Sequence, residues 1–291
     1  MGIQLTGGER LTASNMVSNA DPHTTFKRLI GRERLSRKLR RKLDQTSYST
    51  SCLSLYLALD GDLEAMGWDS GNYYIHSSAD LDGIFDRALT DRAVTEPPEL
   101  VFATATSLKD QSKRRLGQHQ LEIFAFAPYS PFARWADQPT GGRDPEYQRL
   151  KRTISRRMIE FVEKRFPGLR ERIVFQELGT PLTNQHYVRA HQGNMYGIDK
   201  GVWQAGPLGF RSRTEFENLY LCGASTMAHG VAYATKSGLA AASKILACPP
   251  GDLLSSGGPP LRVYQCEDPA TWPARYRALG RSRRQPITVS G

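Results

Sequence analysis

The sequence predicts a chain of mixed α and β structure, of the α+β or α/β class, in which helices cover a mainly antiparallel sheet. Three observations support this prediction. Runs rich in β-branched and aromatic residues occupy the middle of the chain, at residues 53–59, 73–76, 100–106 and 121–127. The longest helical pattern, residues 144–166, places Ile154, Met158 and Val162 at the spacing of a buried face. Residues 218–247 predict a short strand, a turn and a helix.

The other segments also have predicted structures. Gly7-Gly8 suits a hairpin turn, and residues 11–19 have the character of a strand that ends in an Asn-Ala-Asp-Pro turn. We expect a basic helix over residues 27–42, a short helix over 80–89 and a further strand over 173–177. Residues 129–142 and 249–291 are rich in proline and glycine, so the first is a predicted loop and the second a mostly disordered tail.

The composition is that of an ordinary globular protein. Of the 291 residues, 39% are hydrophobic and 23% are charged, and no run reaches the ~20 apolar residues of a membrane helix. The first ten residues lack the apolar core of a signal peptide, which predicts a cytoplasmic location. The four cysteines, Cys52, Cys222, Cys248 and Cys266, form no Cys-x-x-Cys pair, so we expect reduced thiols and no zinc site.

The net charge of +10 is concentrated in one segment. Residues 27–42 carry nine lysines and arginines against Glu33, a local charge of +8. A single helix would bring Leu29, Leu35, Leu39 and Leu43 near one face. Two interpretations stay open, a solvated surface helix and a peripheral contact with an anionic membrane. No nucleic-acid motif accompanies the charge, so we expect no nucleic acid as a partner.

The most informative segment, residues 218–247, predicts a buried strand, a turn over 223–230 and a helix of small residues. Such a unit aims backbone N–H groups and the positive end of the helix dipole at whatever lies above the turn. Gly223 and Gly230 allow the backbone to approach a neighbour closely. The residues support two interpretations, an anionic or electron-rich ligand at the turn and an ordinary packed βα unit.

Four segments in order along the chain resemble the phytoene desaturase family, FAD-dependent oxidoreductases that include carotenoid isomerases and retinol saturases. Leu219-Tyr220-Leu221, followed by Gly223-Ala224 and Thr226, resembles the C-terminal flavin-contacting motif of that family. Residues 17–23 resemble its return strand into the FAD-binding domain, and residues 53–60 its central substrate-domain strand. Pro181-Leu182-Thr183 through residues 193–197 resemble the stretch before the flavin motif. The match runs from about residue 11 to residue 247.

This resemblance implies a domain organisation, a cofactor and a substrate class. Residues 1–23 and 206–248 would complete a Rossmann-like FAD-binding domain, residues 24–205 would form the substrate-binding domain, and residues 249–291 would follow as the tail. The substrate would be a polyene or other lipophilic molecule that is desaturated, saturated or isomerised. Because the flavin supplies the redox chemistry, no catalytic side chain is assigned. FAD would lie against the turn and the start of the helix, at Gly223, Ala224, Ser225, Gly230, Val231 and Ala232.

The chain contains no Gly-x-Gly-x-x-Gly run, the turn that holds the FAD pyrophosphate in complete members of the family. It therefore resembles a C-terminal half, and we expect an N-terminal FAD-binding half or subunit as a partner. That half could be a separate polypeptide, the chain could be a truncated product, or it could have lost its cofactor. Two other functions also stay open, a non-catalytic binding or scaffold subunit and a flavin-dependent enzyme of the amine-oxidase type.

Other chemistries have little support in the sequence. The six histidines show no metal-ligand spacing, so no metal site is predicted. No Gly-x-Ser-x-Gly elbow is present, and Ser225 is expected to make backbone contacts rather than act as a nucleophile. His229 precedes Gly230 and is either a neighbour of the flavin ring or a plain turn residue.

Overall fold

The computed structural model describes residues 2–110, 113, 118–255, 264, 270 and 272–274. The chain forms two compact units. The first unit contains Met1–Cys52, Phe126–Arg143 and Thr180–Gly258, and the second contains Leu53–Ala125, Asp144–Gly179 and Pro259–Gly291. These units divide the chain at positions other than residues 23, 205 and 248, and the assignment of residues 1–23, 24–205 and 206–248 to domains stays a prediction.

Most of the described strands are short, and the two longest, β4 and β7, have nine residues each. They are β1 Gly2–Gln4, β2 Arg10–Thr12, β3 Met16–Ser18, β4 Ser51–Leu59, β5 Asn72–His76, β6 Leu100–Ala105, β7 His119–Ala127, β8 Ile173–Gly179 and β9 Leu219–Leu221.

The described α-helices include two long ones, α5 and α7. The helices are α1 Arg37–Asp44, α2 Leu81–Ala88, α3 Arg92–Thr95, α4 Thr106–Lys109, α5 Pro145–Glu163, α6 Pro181–Tyr187, α7 Val231–Leu246 and α8 Pro250–Ser255. None of the helices in the described ranges has both the length and the hydrophobicity that a bilayer crossing requires.

The second unit contains the predicted antiparallel sheet, which is confirmed. Its five strands lie in the order β5-β6-β7-β4-β8. The pairs β5/β6, β6/β7 and β4/β8 are antiparallel, with Phe102 opposite Phe124 and Ala58 opposite Phe175. Side chains alternate between the two faces, because successive residues of a strand point in opposite directions. One face is therefore buried, as the leucines of β4 illustrate: Leu53, Leu55, Leu57 and Leu59.

Helix α5 follows the prediction closely, because its sequence carries clear start signals. The Asp144 side chain accepts a hydrogen bond from the backbone N–H of Tyr147 at 2.9 Å, and Pro145 occupies the first turn. Ile154, Met158 and Val162 are buried at helical spacing. On the polar side, Lys151 forms an ion pair with Glu177 of β8, which links the helix to the edge of the sheet.

The first unit contains a parallel strand pair and its own core. Strand β3 pairs with β9, with Val17 opposite Tyr220. The predicted hairpin near the start is also present, with β1 antiparallel to β2. The core beneath the parallel pair consists of Phe26, Leu35, Leu43, Ile198, Phe210, Leu219 and Leu221.

Two predicted elements are wrong in detail. Residues 11–19 contain two short strands, β2 and β3, rather than one. The basic segment 27–42 is not one helix: a π-helical segment, His23–Gly31, ends at Gly31, where φ is +101°. A new helix, α1, starts after Ser36, whose hydroxyl accepts a hydrogen bond from the N–H of Leu39. Leu29 is consequently 71% exposed instead of sharing a face with buried Leu35.

Two segments predicted to be irregular contain short helices. Residues 129–142 contain a short 3₁₀ helix, Ser130–Trp135, within the predicted loop. The predicted disordered tail begins with α8, and most of its residues lie outside the described ranges.

Candidate functional site

The candidate site lies at the carboxyl ends of β3 and β9 in the first unit. Because the two strands are parallel, their carboxyl ends meet at the same edge. Asn19 follows β3, and the turn at residues 222–230 follows β9 and leads into α7. The backbone N–H of Cys222 continues the pairing by donating to the Ser18 carbonyl at 3.0 Å.

Gly223 is buried inside the turn and has close neighbours on two sides. Its φ is +93°, and a Cβ at this position would overlap the side chain of Asn19. Its N–H donates to the hydroxyl of Ser237 in α7 at 2.6 Å. Glycine at position 223 thus allows the turn to lie close to Asn19. The turn contacts both the end of β3, through Asn19, and α7, through Ser237.

Ser225 is also buried, and Ala224 beside it is half-buried. The Ser225 hydroxyl accepts a hydrogen bond from the backbone N–H of Ile198 at 3.4 Å. This contact joins the turn to residues 193–198. Three of the four segments that carry the sequence resemblance, those at 17–23, 181–197 and 218–247, therefore meet in one unit.

The start of α7 is exposed, in contrast to the buried residues of the turn. Gly230 has φ +88°, and apart from its chain neighbours no described residue has an atom within 4 Å of the position of a Cβ. Gly230, Val231 and Ala232 are exposed, Val231 to 87%. No side chain in the described part of the chain caps the helix, so the N–H groups of its first turn are available to a ligand.

The six predicted cofactor-binding residues therefore form two groups. Gly223, Ala224 and Ser225 build the turn from inside, whereas Gly230, Val231 and Ala232 present backbone at the surface. Their contact with FAD stays a prediction.

His229 has a partner that the sequence did not indicate. Its ring stacks on that of Tyr196, with the centroids 4.5 Å apart and the planes inclined by 30°. Tyr196 belongs to the 193–197 stretch, and its backbone N–H donates to the Ser49 hydroxyl at 2.9 Å. The stack places an aromatic pair immediately before the exposed start of α7.

The outer face of the sheet in the second unit is a second feature of functional interest. Tyr74, Phe102 and Phe124 lie on neighbouring strands and their rings contact one another, with centroid distances of 5.1 Å for both successive pairs. Tyr56 of β4 and Phe175 of the edge strand β8 are on the same face and are 47% and 58% exposed. We call these five residues the aromatic face. Exposed aromatic side chains grouped on one face are a candidate surface for contact with an apolar ligand or partner.

The potential metal ligands are dispersed over the described residues. No group of three or more potential ligands among His, Cys, Asp and Glu is found in the described part of the chain. Cys52, Cys222 and Cys248 form no disulfide with any described residue, and Cys266 lies outside the described ranges.

Comparison with known proteins relates the chain to the enzymes that the sequence resembles, although no protein-family model matches it. All-trans-retinol 13,14-reductase from Danio rerio is 28% identical over 257 residues, covering 84% of this chain and 42% of that protein. Prolycopene isomerase from Arabidopsis thaliana is 25% identical over 250 residues, covering 85% and 39%. Phytoene desaturase (lycopene-forming) from Pseudescherichia vulneris is 25% identical over 228 residues, covering 77% and 43%.

The predicted resemblance is thereby confirmed, and the chain spans about two fifths of the length of these relatives. Among solved structures, a putrescine oxidase double mutant has a TM-score of 0.52 at 14% identity, covering 84% of this chain and 45% of that one. This likeness concerns the fold alone.

Proposed function

We propose that the chain is the flavin-contacting and substrate-binding part of an FAD-dependent oxidoreductase of the phytoene desaturase type. The observation that carries the proposal is the turn after β9, where Gly223 and Ser225 join three of the resembling segments and leave the start of α7 open. The reaction would be the desaturation, saturation or isomerisation of a polyene or another lipophilic molecule.

The residues at the open helix start fit a flavin. Backbone N–H groups at Gly230, Val231 and Ala232, together with the positive end of a 16-residue helix, favour an electron-rich or anionic edge. The absence of a Cβ at Gly230 leaves room for that edge to approach. The bound flavin would supply the electron transfer, while these residues hold and orient it. The pairing of β3 with β9, each followed by a helix, suits a piece of a Rossmann-like domain.

The pyrophosphate and adenosine of FAD need contacts that this chain does not offer in its sequence, because no Gly-x-Gly-x-x-Gly turn occurs in its 291 residues. A partner half or subunit outside these residues would provide them.

The aromatic face fits the substrate side of the proposal. Five aromatic side chains on one face of a sheet can bury a long apolar molecule, and burial of apolar surface is the main source of affinity for such a ligand. An apolar polyene offers few hydrogen-bonding groups, so contact with aromatic rings would supply most of its affinity.

The basic segment suits a contact with an anionic membrane, from which a lipophilic substrate could be drawn. Arg37, Lys38 and Arg41 lie on α1 beside a loop that exposes Val202 and Trp203, to 79% and 82%. Gln204 fixes this loop to the end of α1 by accepting a hydrogen bond from the Ser47 N–H at 2.9 Å. Positive charge beside an exposed tryptophan is the usual composition of a membrane-surface contact.

The experiment that tests the proposed function compares the chain alone with the chain co-expressed with the FAD-binding half. The isolated chain should bind FAD weakly, and the purified complex should show the absorbance bands of bound flavin. A complex that forms without flavin would favour the non-catalytic subunit. Sub-micromolar binding of FAD by the isolated chain would contradict the need for a partner.

A further inference from the structure

A groove in the second unit is lined by residues of the edge strand β8 and of helix α5. It has a volume of about 550 Å³, and its apolar lining residues include Ile159, Ile173 and Val174. Strand β8 is the last strand of the five-stranded sheet, so β4 pairs with only one of its two edges. The other edge presents backbone N–H and C=O groups at which a further strand can be added.

Strand β8 is open on both faces as well as at this edge. Phe175, Gln176 and Glu177 are all exposed, although successive residues of a strand point to opposite faces. Their pairing with β4 is regular, and the register shifts only next to Val174. Proteins usually protect such an edge with free charges or proline, but β8 contains no proline and its Glu177 is paired with Lys151. An added strand would therefore lie beside these three exposed residues.

The groove next to this edge carries an excess of positive charge. Three arginines line it, Arg152, Arg156 and Arg170, and none of its lining residues in the described part of the chain is acidic. Two of the arginines share one carboxylate, because Glu160 lies 3.0 Å from Arg156 and 3.5 Å from Arg170. Arg152 is exposed and forms no ion pair with any described residue. The charge of the groove is thus complementary to an acidic partner.

We propose that β8 binds an extended acidic segment of another polypeptide, which adds a strand to the sheet and places its carboxylates beside these arginines. Backbone pairing selects an extended segment, and the neighbouring side chains select its sequence. Guanidinium groups suit carboxylates, which they bind through paired hydrogen bonds. A second copy of this chain fits less well, because pairing of β8 with β8 would bring two sets of arginines together.

The test measures the fluorescence anisotropy of a labelled peptide of alternating glutamate and valine, about eight residues long, as in an ordinary strand. The full chain is titrated into it at physiological ionic strength, where distant charges are screened. Arg152→Ala with Arg156→Ala should weaken binding roughly fivefold, because two charged contacts are lost. The control pair, Arg149→Ala with Lys164→Ala, removes the same charge from exposed positions in and next to α5 that do not line the groove. It should change the affinity less than about twofold.

Two further peptides separate the effect of charge from that of strand pairing. One has lysine in place of glutamate, and the other keeps the glutamates but has proline in place of alternate valines, which prevents pairing as a strand. Both should bind about tenfold more weakly than the first peptide. Binding of the first peptide should also slow hydrogen exchange at the backbone N–H groups of residues 173–178, since added pairing protects them.

The absence of saturable binding, equal weakening by both pairs of substitutions, or unchanged hydrogen exchange would overturn the proposal. Equal binding of either control peptide would do the same. A dimer of the chain that the peptide dissociates would assign the edge to a second copy and overturn the choice of occupant. Circular dichroism verifies the fold, and Arg152→Ala alone serves if the pair does not fold. The test contains no flavin, so its outcome does not bear on the oxidoreductase proposal.

Discussion

The hydroxyl of Ser237 connects two backbone segments of the candidate site. It accepts a hydrogen bond from the Gly223 N–H at 2.6 Å and donates one to the Ala234 carbonyl at 2.6 Å. Ser237 is fully buried. A single small side chain therefore links α7 to the turn after β9.

Ser237→Ala should lower the free energy of unfolding by about 1–3 kcal/mol, because the buried N–H of Gly223 loses its acceptor. The matched control is Thr235→Ala, an exposed position on the same helix, which should change stability by less than about 0.5 kcal/mol. Urea unfolding of the three proteins measures both values. Equal effects would mean that the hydroxyl does not hold the turn.

This link illustrates which parts of the fold the sequence predicts. The sheet was predictable, because alternating residues such as those of β4 and β7 record which face is buried. The stretch 219–247 was predictable as strand, turn and helix for similar local reasons. The partner of Ser237 was not, because a small residue in a helix indicates close packing without naming the neighbour.

The basic segment was mispredicted although its sequence contained the necessary signals. Gly31 adopts a positive φ that ends one helix, and Ser36 caps the next. The periodic leucines favour one continuous helix, whereas Gly31 and Ser36 divide the segment in two. The His23–His191 stack, by contrast, joins positions far apart in the chain, and no local pattern could have predicted it.

Gly230→Val should abolish flavin retention by the two-part complex while leaving the chain folded. The added side chain would cover the N–H groups at the start of α7, and the positive φ would disfavour valine. Gly8→Val is the matched control, since Gly8 also has a positive φ and open space around its Cβ position. Flavin absorbance and melting temperature are measured together. A folded Gly230→Val complex with normal flavin content would exclude this position from the site.

Tyr74→Ser should weaken binding of a retinoid or carotenoid probe with little effect on stability. The ring is 69% exposed on the aromatic face and packs against Phe102 at one edge of the sheet. Tyr187→Ser is the control, because Tyr187 is 73% exposed in the other unit. Probe fluorescence should report a several-fold higher Kd for the first variant only, as expected from the loss of about 1 kcal/mol of apolar contact. The same Kd for both variants would argue against the aromatic face as the substrate surface.

Trp203→Ala should lower the affinity for anionic vesicles roughly tenfold, the equivalent of about 1.4 kcal/mol for one partly inserted ring. The ring is 82% exposed beside the basic helix α1. Sedimentation with phosphatidylserine vesicles measures the change, and Tyr187→Ala controls for the loss of any exposed aromatic ring. Added salt should weaken binding of both variants, because the charges of α1 contribute separately. If Trp203→Ala binds the vesicles as tightly as the natural chain does, the loop is not part of the membrane contact.

Acid should destabilise the chain through His23. Burial is the main cause that lowers the pKa of His23 from 6.5 to about 4, and the nearby His191, Lys27 and Arg28 lower it further while Asp21 opposes them. Burial likewise lowers the pKa of His191. The unfolded chain therefore binds a proton at this histidine near pH 6.5, whereas the folded chain binds it only near pH 4. Because the unfolded chain binds more protons in this window, the free energy of unfolding falls as the pH decreases from 6.5 to 4.

His23→Phe keeps a ring for the stack on His191 and removes the titration. Between pH 6.5 and 4 the natural chain should lose about 1–2 kcal/mol more unfolding free energy than this variant, a value reduced for solvent screening because the ring is only partly buried. His76→Phe, which also places a phenylalanine ring in the chain but at an exposed position, is the matched control. Urea unfolding at several pH values supplies the comparison. If the unfolding free energies of the natural chain and of His23→Phe fall in parallel with pH, burial in the stack does not keep the His23 ring unprotonated.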